Sequence, residues 1–250
     1  ALRGPEPMRY ATTRAVVLSS RPLAEADRWL TLFTRDQGRI DAVVKGVRRT
    51  TSRWGGRLEP FNVCDVVLYR GRSRATVTSA QLVDVFRHLR EDRDALTAAA
   101  VACEAAALLF AEGEPEVRAF TLLRSALRAI DAGFAGPALR APLVLGSLMK
   151  LMYEAGYLPV LDRCASCGGG GCALAFSAAR GGLVCGECLG DGVPVTPEAI
   201  AALRDAVTRP LSELRAAPPS EAVEEALRDL HLLFAYHTGT RLRALRFARL

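Results

Sequence analysis

The chain has 250 residues and a formal net charge of +6 at pH 7, with 50% of its residues apolar and 24% charged. This composition is typical of a globular protein with a hydrophobic core, and it excludes disorder for most of the chain. No apolar run reaches the roughly 18 residues of a membrane helix, and residues 1–8 lack a signal-peptide profile. The sequence therefore predicts a cytoplasmic protein without a membrane partner.

The surplus of positive charge lies in the first third of the chain. Residues 1–90 contain 17 Lys and Arg against 8 Asp and Glu, a net charge of +9, whereas residues 91–250 contain 16 against 19, a net charge of −3. An asymmetry of this sign predicts that the N-terminal unit binds an anionic partner, most often nucleic acid.

The N-terminal region has the pattern of five short β-strands, because apolar and β-branched residues cluster between turn signals. The predicted strands are residues 14–18, 29–33, 39–44, 61–69 and 75–85. Residues 35–38 and 71–73 predict hairpin turns. Five sequential strands in about 80 residues suit a small closed barrel such as the OB-fold, and an SH3-like barrel fits almost as well.

From residue 90 onward the apolar spacing becomes helical. The predicted helices are residues 95–110, 116–130 and 139–155, followed by two more that begin after Thr196 and Ser220. Both residues are good N-caps, Pro197 suits the first helical position, and Gly239 predicts the end of the last helix. Residues 241–249 predict a short basic amphipathic helix or an arm.

Four of the seven cysteines form two C-x-x-C pairs separated by 17 residues, Cys164 with Cys167 and Cys185 with Cys188. This spacing predicts one Cys₄ zinc site, because a two-residue gap lets one turn aim two thiolates at a single ion. Four thiolates leave no position for a substrate water, so the zinc is expected to be structural. The alternatives are metal-free thiol pairs, or Cys172 as a ligand in place of Cys167.

Together these patterns predict an α+β protein of several domains. We expect a five-stranded OB-fold barrel that binds nucleic acid at residues 1–88, an α-helical domain at residues 89–161 and 193–250, and a Cys₄ zinc-binding insertion at residues 162–192.

Residues 45–57 carry five positive charges and no acidic residue, interleaved with hydroxyls, glycines and Trp54. Cations neutralise phosphates and an aromatic ring can stack on an unpaired base, so this segment predicts a loop that binds a nucleic-acid backbone; the alternative is a solvated loop. Trp29 and Phe33 are assigned to the barrel core in preference to base stacking. The predicted nucleic-acid-binding residues are Arg14, Arg35, Arg39, Lys45, Arg48, Arg49, Arg53, Arg57, Arg70, Arg72 and Arg74.

The sequence contains none of the common enzyme signatures. We find no phosphate-binding G-x-x-x-x-G-K-[ST] loop, no G-x-G-x-x-G after a strand, no G-x-S-x-G elbow and no compact carboxylate cluster for two magnesium ions. The sequence therefore predicts a protein that is not an enzyme.

Three segments carry a resemblance to a known family. They are Val44-Lys-Gly-Val-Arg-Arg49, Ser52-Arg-Trp-Gly-Gly-Arg-Leu-Glu-Pro-Phe61 and Glu154-Ala-Gly-Tyr-Leu-Pro159, the last of which leads into Cys164. With these segments in this order, the chain resembles the RecO family of bacterial recombination mediators over nearly its whole length.

The resemblance implies an N-terminal OB-fold, binding of single- and double-stranded DNA, annealing of complementary strands, and a role in double-strand-break and gap repair. It implies RecR as a partner and, with RecR, the loading of RecA onto DNA coated by single-strand-binding protein. It also implies no nucleotide hydrolysis and a nucleoid-associated location. The rival interpretations are a zinc-ribbon protein that binds RNA or protein in transcription or translation, and an enzyme whose site is assembled from scattered residues.

Overall fold

The computed structural model describes residues 9–23, 25–47, 54, 56–71, 74–133, 140–170 and 173–247. Its strands are β1 (Tyr10–Pro22), β2 (Arg28–Thr34), β3 (Gly38–Val44), β4 (Val63–Arg70), β5 (Ala75–Asp84), β6 (Ala173–Ser177), β7 (Gly182–Cys185) and β8 (Val193–Pro194). Its α-helices are α1 (His88–Glu91), α2 (Arg93–Leu109), α3 (Val117–Asp131), α4 (Arg140–Glu154), α5 (Pro197–Thr208), α6 (Leu211–Ala216) and α7 (Glu221–Thr238). Short 3₁₀ helices occupy Gly186–Cys188 and Ala244–Phe247.

The first five strands close into a barrel in the order β1-β2-β3-β5-β4. Strand β1 pairs antiparallel with both β2 and β4, and a bulge between Val17 and Ser19 bends it between the two partners. Strands β3 and β5 close the barrel through a parallel pairing at Ala42 and Ala75. This connectivity confirms the predicted five strands and the OB-fold, and it excludes the SH3-like alternative.

The interior of the barrel is filled by apolar side chains from every strand and from the segment between β3 and β4. The buried members of this cluster are Ala15, Val17, Leu30, Leu32, Ala42, Val44, Trp54, Leu58, Cys64, Val66, Leu68 and Val77. Trp54 is only 4% exposed, and its Nε1 donates a hydrogen bond to the carbonyl oxygen of Lys45 at 3.0 Å. The prediction that Trp54 offers a ring to an unpaired base is therefore wrong.

The outer face of β2 carries Trp29 and Phe33, because side chains alternate along a strand and Leu30 points into the barrel. Phe33 is fully buried on this face, where the rings of Phe110 and Phe120 lie 5.2 and 6.4 Å from its own. The prediction that Trp29 and Phe33 belong to the barrel core is wrong, since the period of two places both on the other side of the strand.

The chain divides into two compact units, Ala1–Phe86 with Phe110–Arg124, and Arg87–Leu109 with Ser125–Leu250. The domain boundaries that the sequence predicts, at residues 88/89, 161/162 and 192/193, stay a prediction. In the second unit α4 packs against α2, α5, α6 and α7. Among the described residues, no helix combines the length and the apolar character needed to cross a membrane.

Local signals set the helix ends in the second unit. The hydroxyl of Thr196 accepts a hydrogen bond from the Ala199 amide at 3.2 Å, and that of Ser220 accepts one from the Val223 amide at 3.3 Å. Gly239 ends α7 with a φ of 68°, a left-handed conformation that glycine adopts at little cost. These three predictions are confirmed. Residues 241–247 form an arm with one 3₁₀ turn, so the alternative of a basic α-helix is wrong for them.

The predicted Cys₄ insertion, residues 162–192, contains β6 and β7, which form a small sheet with β8, just beyond the insertion, in the order β7-β6-β8. Strands β6 and β7 pair antiparallel, with Phe176 opposite Leu183, and both side chains are buried. This sheet and helix α6 were not predicted, and the β6–β7 hairpin sets the position of the second cysteine pair.

Candidate metal centre and nucleic-acid interface

Two turns bring four cysteine side chains together in the second unit. Cys185 is the last residue of β7 and Cys188 the last of the following 3₁₀ helix, while the Ala165 amide donates to Leu183 O at 2.7 Å and holds the first pair beside β7. The four sulfur atoms, those of Cys164, Cys167, Cys185 and Cys188, all lie within 4.8 Å of one another. The four predicted ligands therefore form one cluster, and the cluster can hold a metal ion.

One pair of sulfur atoms already has the separation that a tetrahedral ion requires. A metal–sulfur bond of about 2.3 Å requires sulfur atoms roughly 3.8 Å apart, and Sγ of Cys167 and Cys185 are 3.9 Å apart. Cys172, the alternative ligand, lies outside the described residues. Four protein ligands complete a tetrahedron, which is the arrangement of a structural rather than a catalytic metal site.

Backbone amides prepare the first ligand for a cation. The amides of Cys167 and Cys185 each point at Sγ of Cys164 at 3.5 Å. These two hydrogen bonds lower the pKa of Cys164 to about 6, which favours the thiolate that a metal needs. The pKa of Cys188 is raised to about 11: a hydrogen bond with Ser166 lowers it, but the thiol of Cys185 and desolvation outweigh that bond.

The predicted nucleic-acid-binding residues fall into two groups. Arg48, Arg49, Arg53 and Arg72 lie outside the described residues. The described ones are Arg14, Arg35, Arg39, Lys45, Arg57, Arg70 and Arg74, and all seven belong to the barrel unit. Arg35, Lys45, Arg70 and Arg74 have exposed side chains.

Arg14 is engaged by an acidic neighbour on the adjacent strand. Its Nε and Nη2 donate to the two carboxylate oxygens of Asp65 at 2.8 and 3.0 Å. The paired geometry raises the pKa of Arg14 and lowers that of Asp65, chiefly through this hydrogen bonding. The pair adds no net charge to the surface, and a DNA-binding role for Arg14 stays a prediction.

A groove of about 590 Å³ opens on the barrel unit. Trp29 from β2 and Ile40 and Asp41 from β3 line it. The remaining lining residues are Gln37, Leu68, Arg70, Gly71, Arg74, Ala75, Glu112 and Gly113. The groove therefore lies at β2, β3 and the β4–β5 turn, and its lining includes Ile40, Leu68 and Ala75, which also pack in the barrel interior.

Trp29 and two arginines form a stacked group at this groove. The guanidinium carbon of Arg74 lies 4.8 Å from the centre of the Trp29 ring, and that of Arg21 lies 5.7 Å from it. The indole nitrogen of Trp29 is buried and has no hydrogen-bond partner within the described structure. The arrangement offers planar stacking surfaces and positive charge, which is the chemistry that binds a single nucleic-acid strand.

Hydrogen bonds orient three more polar side chains of the groove: Arg70, Gln37 and Asp41. Arg70 donates from Nη2 to Oε1 of Gln37 at 2.6 Å, and Asp41 accepts from the Thr31 hydroxyl at 2.8 Å. Asp41 and Glu112 add negative charge to the lining. Of the residues that line the groove, the sequence predicted only Arg70 and Arg74 as nucleic-acid-binding residues. The alternation of Leu30 and Leu32 along β2 was the signal that would have placed Trp29 on the outer face of the barrel.

One wall of the groove depends on a glycine. The Gly113 amide donates to Arg39 O at 3.1 Å, which attaches the segment around Glu112 to β3. Gly38 has a φ of 63°, and a Cβ atom there would overlap the backbone of Glu114. Only glycine allows this close approach without strain.

Comparison with known proteins covers both parts of the chain. Residues 8–86 match the family described as recombination protein O N terminal, and residues 90–246 match recombination protein O C terminal. The chain belongs to the RecO family. Three similar RecO relatives, each called DNA repair protein RecO, support this assignment and confirm the resemblance seen in the sequence.

The relative from Rubrobacter xylanophilus is 40% identical over 230 residues, which cover 88% of this chain and 89% of the relative. The one from Frankia casuarinae is 44% identical over 176 residues, covering 69% and 71%. The one from a Nocardioides species is 43% identical over 196 residues, covering 76% and 79%.

Proposed function

We propose that this RecO-family protein acts in DNA repair and recombination by binding single-stranded DNA in the barrel groove. The observation that carries the proposal is the stack of Arg74 on Trp29 beside the β4–β5 turn. OB-folds bind oligonucleotides on the face of strands 2 and 3 and at the loop between strands 4 and 5. The lining of the groove by residues of β2, β3 and the β4–β5 turn supports the proposal.

The groove chemistry supports binding with little base preference. Arg70 and Arg74 supply cations for phosphates, and the stacked Trp29 and guanidinium planes supply surfaces for bases. Phosphate contacts carry affinity and not sequence information. Because each such contact releases counterions from the DNA, the affinity should also depend strongly on the salt concentration. The predicted basic residues of the 45–57 segment extend this surface in the proposal.

We place the protein among recombination mediators that are not enzymes. In this role it also binds double-stranded DNA, anneals complementary strands and, with RecR, helps load RecA onto DNA coated by single-strand-binding protein, in the cytoplasm with the nucleoid. Family membership and the names of the relatives support this role. Annealing and RecA-loading assays with and without RecR test it, and ATP hydrolysis by the chain alone would contradict it.

We propose Zn²⁺ as the ion of the cysteine cluster. Four clustered cysteine sulfurs suit zinc, because zinc binds four thiolates tetrahedrally and then has no open coordination position. Bound zinc supplies structural cross-linking here: it would hold the Cys164 turn against the end of β7 and stabilise the small sheet.

Tryptophan fluorescence tests the groove directly, because the chain has two tryptophans in opposite environments. Trp29 lines the groove, whereas Trp54 is buried in the barrel. Titration with an oligo-dT strand should quench part of the emission of the intact chain and leave the emission of Trp29→Phe unchanged. Equal quenching in the two proteins, or none in the intact chain, would contradict binding at the groove.

Replacement of Arg74 tests the same groove by a measurement of binding affinity. Arg74→Ala should weaken oligo-dT binding by about tenfold, and the slope of log K against log salt should fall by about 0.7 for the lost phosphate contact. Arg87→Ala is the matched control, since Arg87 is exposed and does not line the groove. Arg87→Ala should leave both the affinity for oligo-dT and the salt slope nearly unchanged.

A further inference from the structure

The C-terminal arm, residues 241–247, presents cations on a fixed backbone. Leu242 is fully buried and Leu245 is 7% exposed, so these two side chains anchor the arm to the second unit. The arm residues with exposed side chains are Arg241, Arg243, Arg246 and Phe247. We call these four residues the arm strip.

Polar contacts hold three consecutive backbone amides of the arm. The Leu242 amide donates to Nε2 of His231 at 3.0 Å. The amides of Arg243 and Ala244 donate to the two carboxylate oxygens of Glu104 at 3.0 and 2.9 Å. Glu104 thus fixes the backbone of the arm and leaves the neighbouring arginine side chains free to point outward.

The only carboxylate that the described structure places on the arm, that of Glu104, accepts from backbone amides and not from the guanidinium groups. No carboxylate in the part of the chain that the structure describes forms an ion pair with Arg241, Arg243 or Arg246. The Cα atoms of Arg241 and Arg243 are at most about 7 Å apart, from the reach of an extended chain. Three exposed cations therefore lie within six residues of the arm, in the part of the sequence, residues 91–250, that is net acidic.

One exposed aromatic ring, that of Phe247, belongs to the strip itself. Phe247 is 63% exposed at the end of the strip, and Tyr236 is 59% exposed near the end of α7. His237 stacks on Tyr157 at 4.4 Å between ring centres. Cations followed by an exposed ring suit the phosphates and unpaired bases of a single strand, whereas an acidic peptide would engage only the charges.

We infer that the arm strip binds the phosphate backbone of a second DNA strand, in addition to the strand in the barrel groove. The inference rests on the proposed function, in which the chain binds single-stranded DNA. Annealing needs two complementary strands on one protein, and two separate strand sites would supply that condition. Glu104 is a positioning residue of this second site, since it touches the arm backbone and not the strand.

The test uses the full chain and two oligo-dT strands, one with a donor dye and one with an acceptor. These strands cannot pair with each other, so energy transfer requires both on one protein. The variant Arg241→Ser/Arg243→Ser/Arg246→Ser keeps both leucine anchors. It should retain Trp29 quenching by the first strand, lose the energy transfer, and anneal complementary strands at least tenfold more slowly.

A matched control removes the same charge elsewhere on this unit. Arg87→Ser/Arg93→Ser/Arg180→Ser replaces three exposed arginines outside the arm, and it should keep most of the energy transfer. Equal losses in the two triple variants would overturn the inference, as would unchanged transfer and annealing in the arm variant. A loss confined to binding of poly-glutamate would reassign the strip to an acidic protein partner.

The variant Glu104→Ala tests whether Glu104 positions the arm, because the two possible effects on the affinity for the second strand have opposite signs. Removing an acidic residue should, by charge alone, raise the affinity for DNA. Because Glu104 orders the arm, we expect second-strand binding to weaken instead, by about threefold to tenfold. Stronger binding would contradict the positioning role. Failure of the proposed function is recognised separately, since the intact chain would then show no Trp29 quenching.

Discussion

Asp229 is a buried carboxyl group in α7, 3% exposed, and its Oδ2 has no hydrogen-bond partner within the described structure. Burial raises its pKa to about 7; the nearby charge of Glu225 adds to the rise and that of Arg228 opposes it. In the unfolded chain an aspartate titrates near 3.9. The folded protein therefore binds this proton more tightly than the unfolded chain does.

The raised pKa predicts a pH-dependent stability. Protonation of Asp229 contributes to the free energy of unfolding fully below the unfolded pKa, near 3.9. This contribution decreases as the pH rises and is lost once the pH passes the folded pKa of about 7. Asp229→Asn removes the titration, so its stability relative to the parent should grow by about 2–3 kcal/mol between pH 5 and pH 8, at roughly 1.4 kcal/mol per pKa unit. Urea unfolding at the two pH values measures this change.

The control for this measurement is Glu221→Gln, an exposed acid in the first turn of the same helix. Its stability relative to the parent should be nearly the same at both pH values. A parent and an Asp229→Asn variant that lose stability in parallel from pH 5 to pH 8 would show that Asp229 ionises without penalty.

At the residue scale, local sequence patterns predicted the features that depend on near neighbours in the chain and missed those that depend on tertiary contacts. The caps Thr196 and Ser220 and the four cysteines were predictable because each depends on neighbours close in sequence. The contact of Trp29 with Arg74 was not, since it joins β2 to the turn before β5. Asp229 was missed because its burial depends on how helices pack.

At the scale of elements, the cysteine cluster replaces the large core that a three-stranded sheet of this size lacks. Strands β6, β7 and β8 have only five, four and two residues. The buried cluster here consists of Cys164, Ala175 and Val184, with Cys185 and Cys188 packed against it. A bound metal would therefore contribute much of the stability of this sheet.

Substitution of the ligands tests this dependence. Cys164→Ser/Cys185→Ser should reduce bound zinc from about one ion per chain to near zero and increase amide exchange in β6 and β7, because the turns lose their common anchor. Trp29 quenching by oligo-dT should persist, since the barrel has its own core. Elemental analysis and hydrogen exchange provide the readouts.

Cys172→Ser serves as the matched control for the ligand set. It removes a thiol from the same glycine-rich stretch and should leave the zinc content unchanged. Stoichiometric zinc in the double variant would show that the ligands are misassigned, and loss of zinc in Cys172→Ser would make Cys172 a ligand.

Long periodic elements were predictable from the sequence, and short ones were not. The five barrel strands and helices α2, α3, α4, α5 and α7 have enough apolar positions to reveal their period. The small sheet and the six-residue helix α6 are too short for a period to emerge. Strand β1 extends beyond its predicted ends because pairing with both β2 and β4 keeps its polar termini extended.

At the scale of the whole molecule, the charge asymmetry of the sequence corresponds to two kinds of surface. The basic first third forms a barrel whose groove combines Arg70 and Arg74 with an aromatic ring. The acidic remainder carries a local exception in the arm strip. Net charge alone indicates the unit that carries the first surface, whereas the second is visible only once Leu242 and Leu245 are seen to be buried.

Arginine footprinting with an oligo-dT strand tests the central claim, which is that a single strand occupies the barrel groove. The full chain is treated with an arginine-selective dicarbonyl reagent with and without saturating DNA, and modified peptides are quantified by mass spectrometry. We expect DNA to protect Arg70 and Arg74, and to leave the modification of exposed Arg87 unchanged. Equal modification of Arg70 and Arg74 with and without the bound strand would contradict the assignment of the groove.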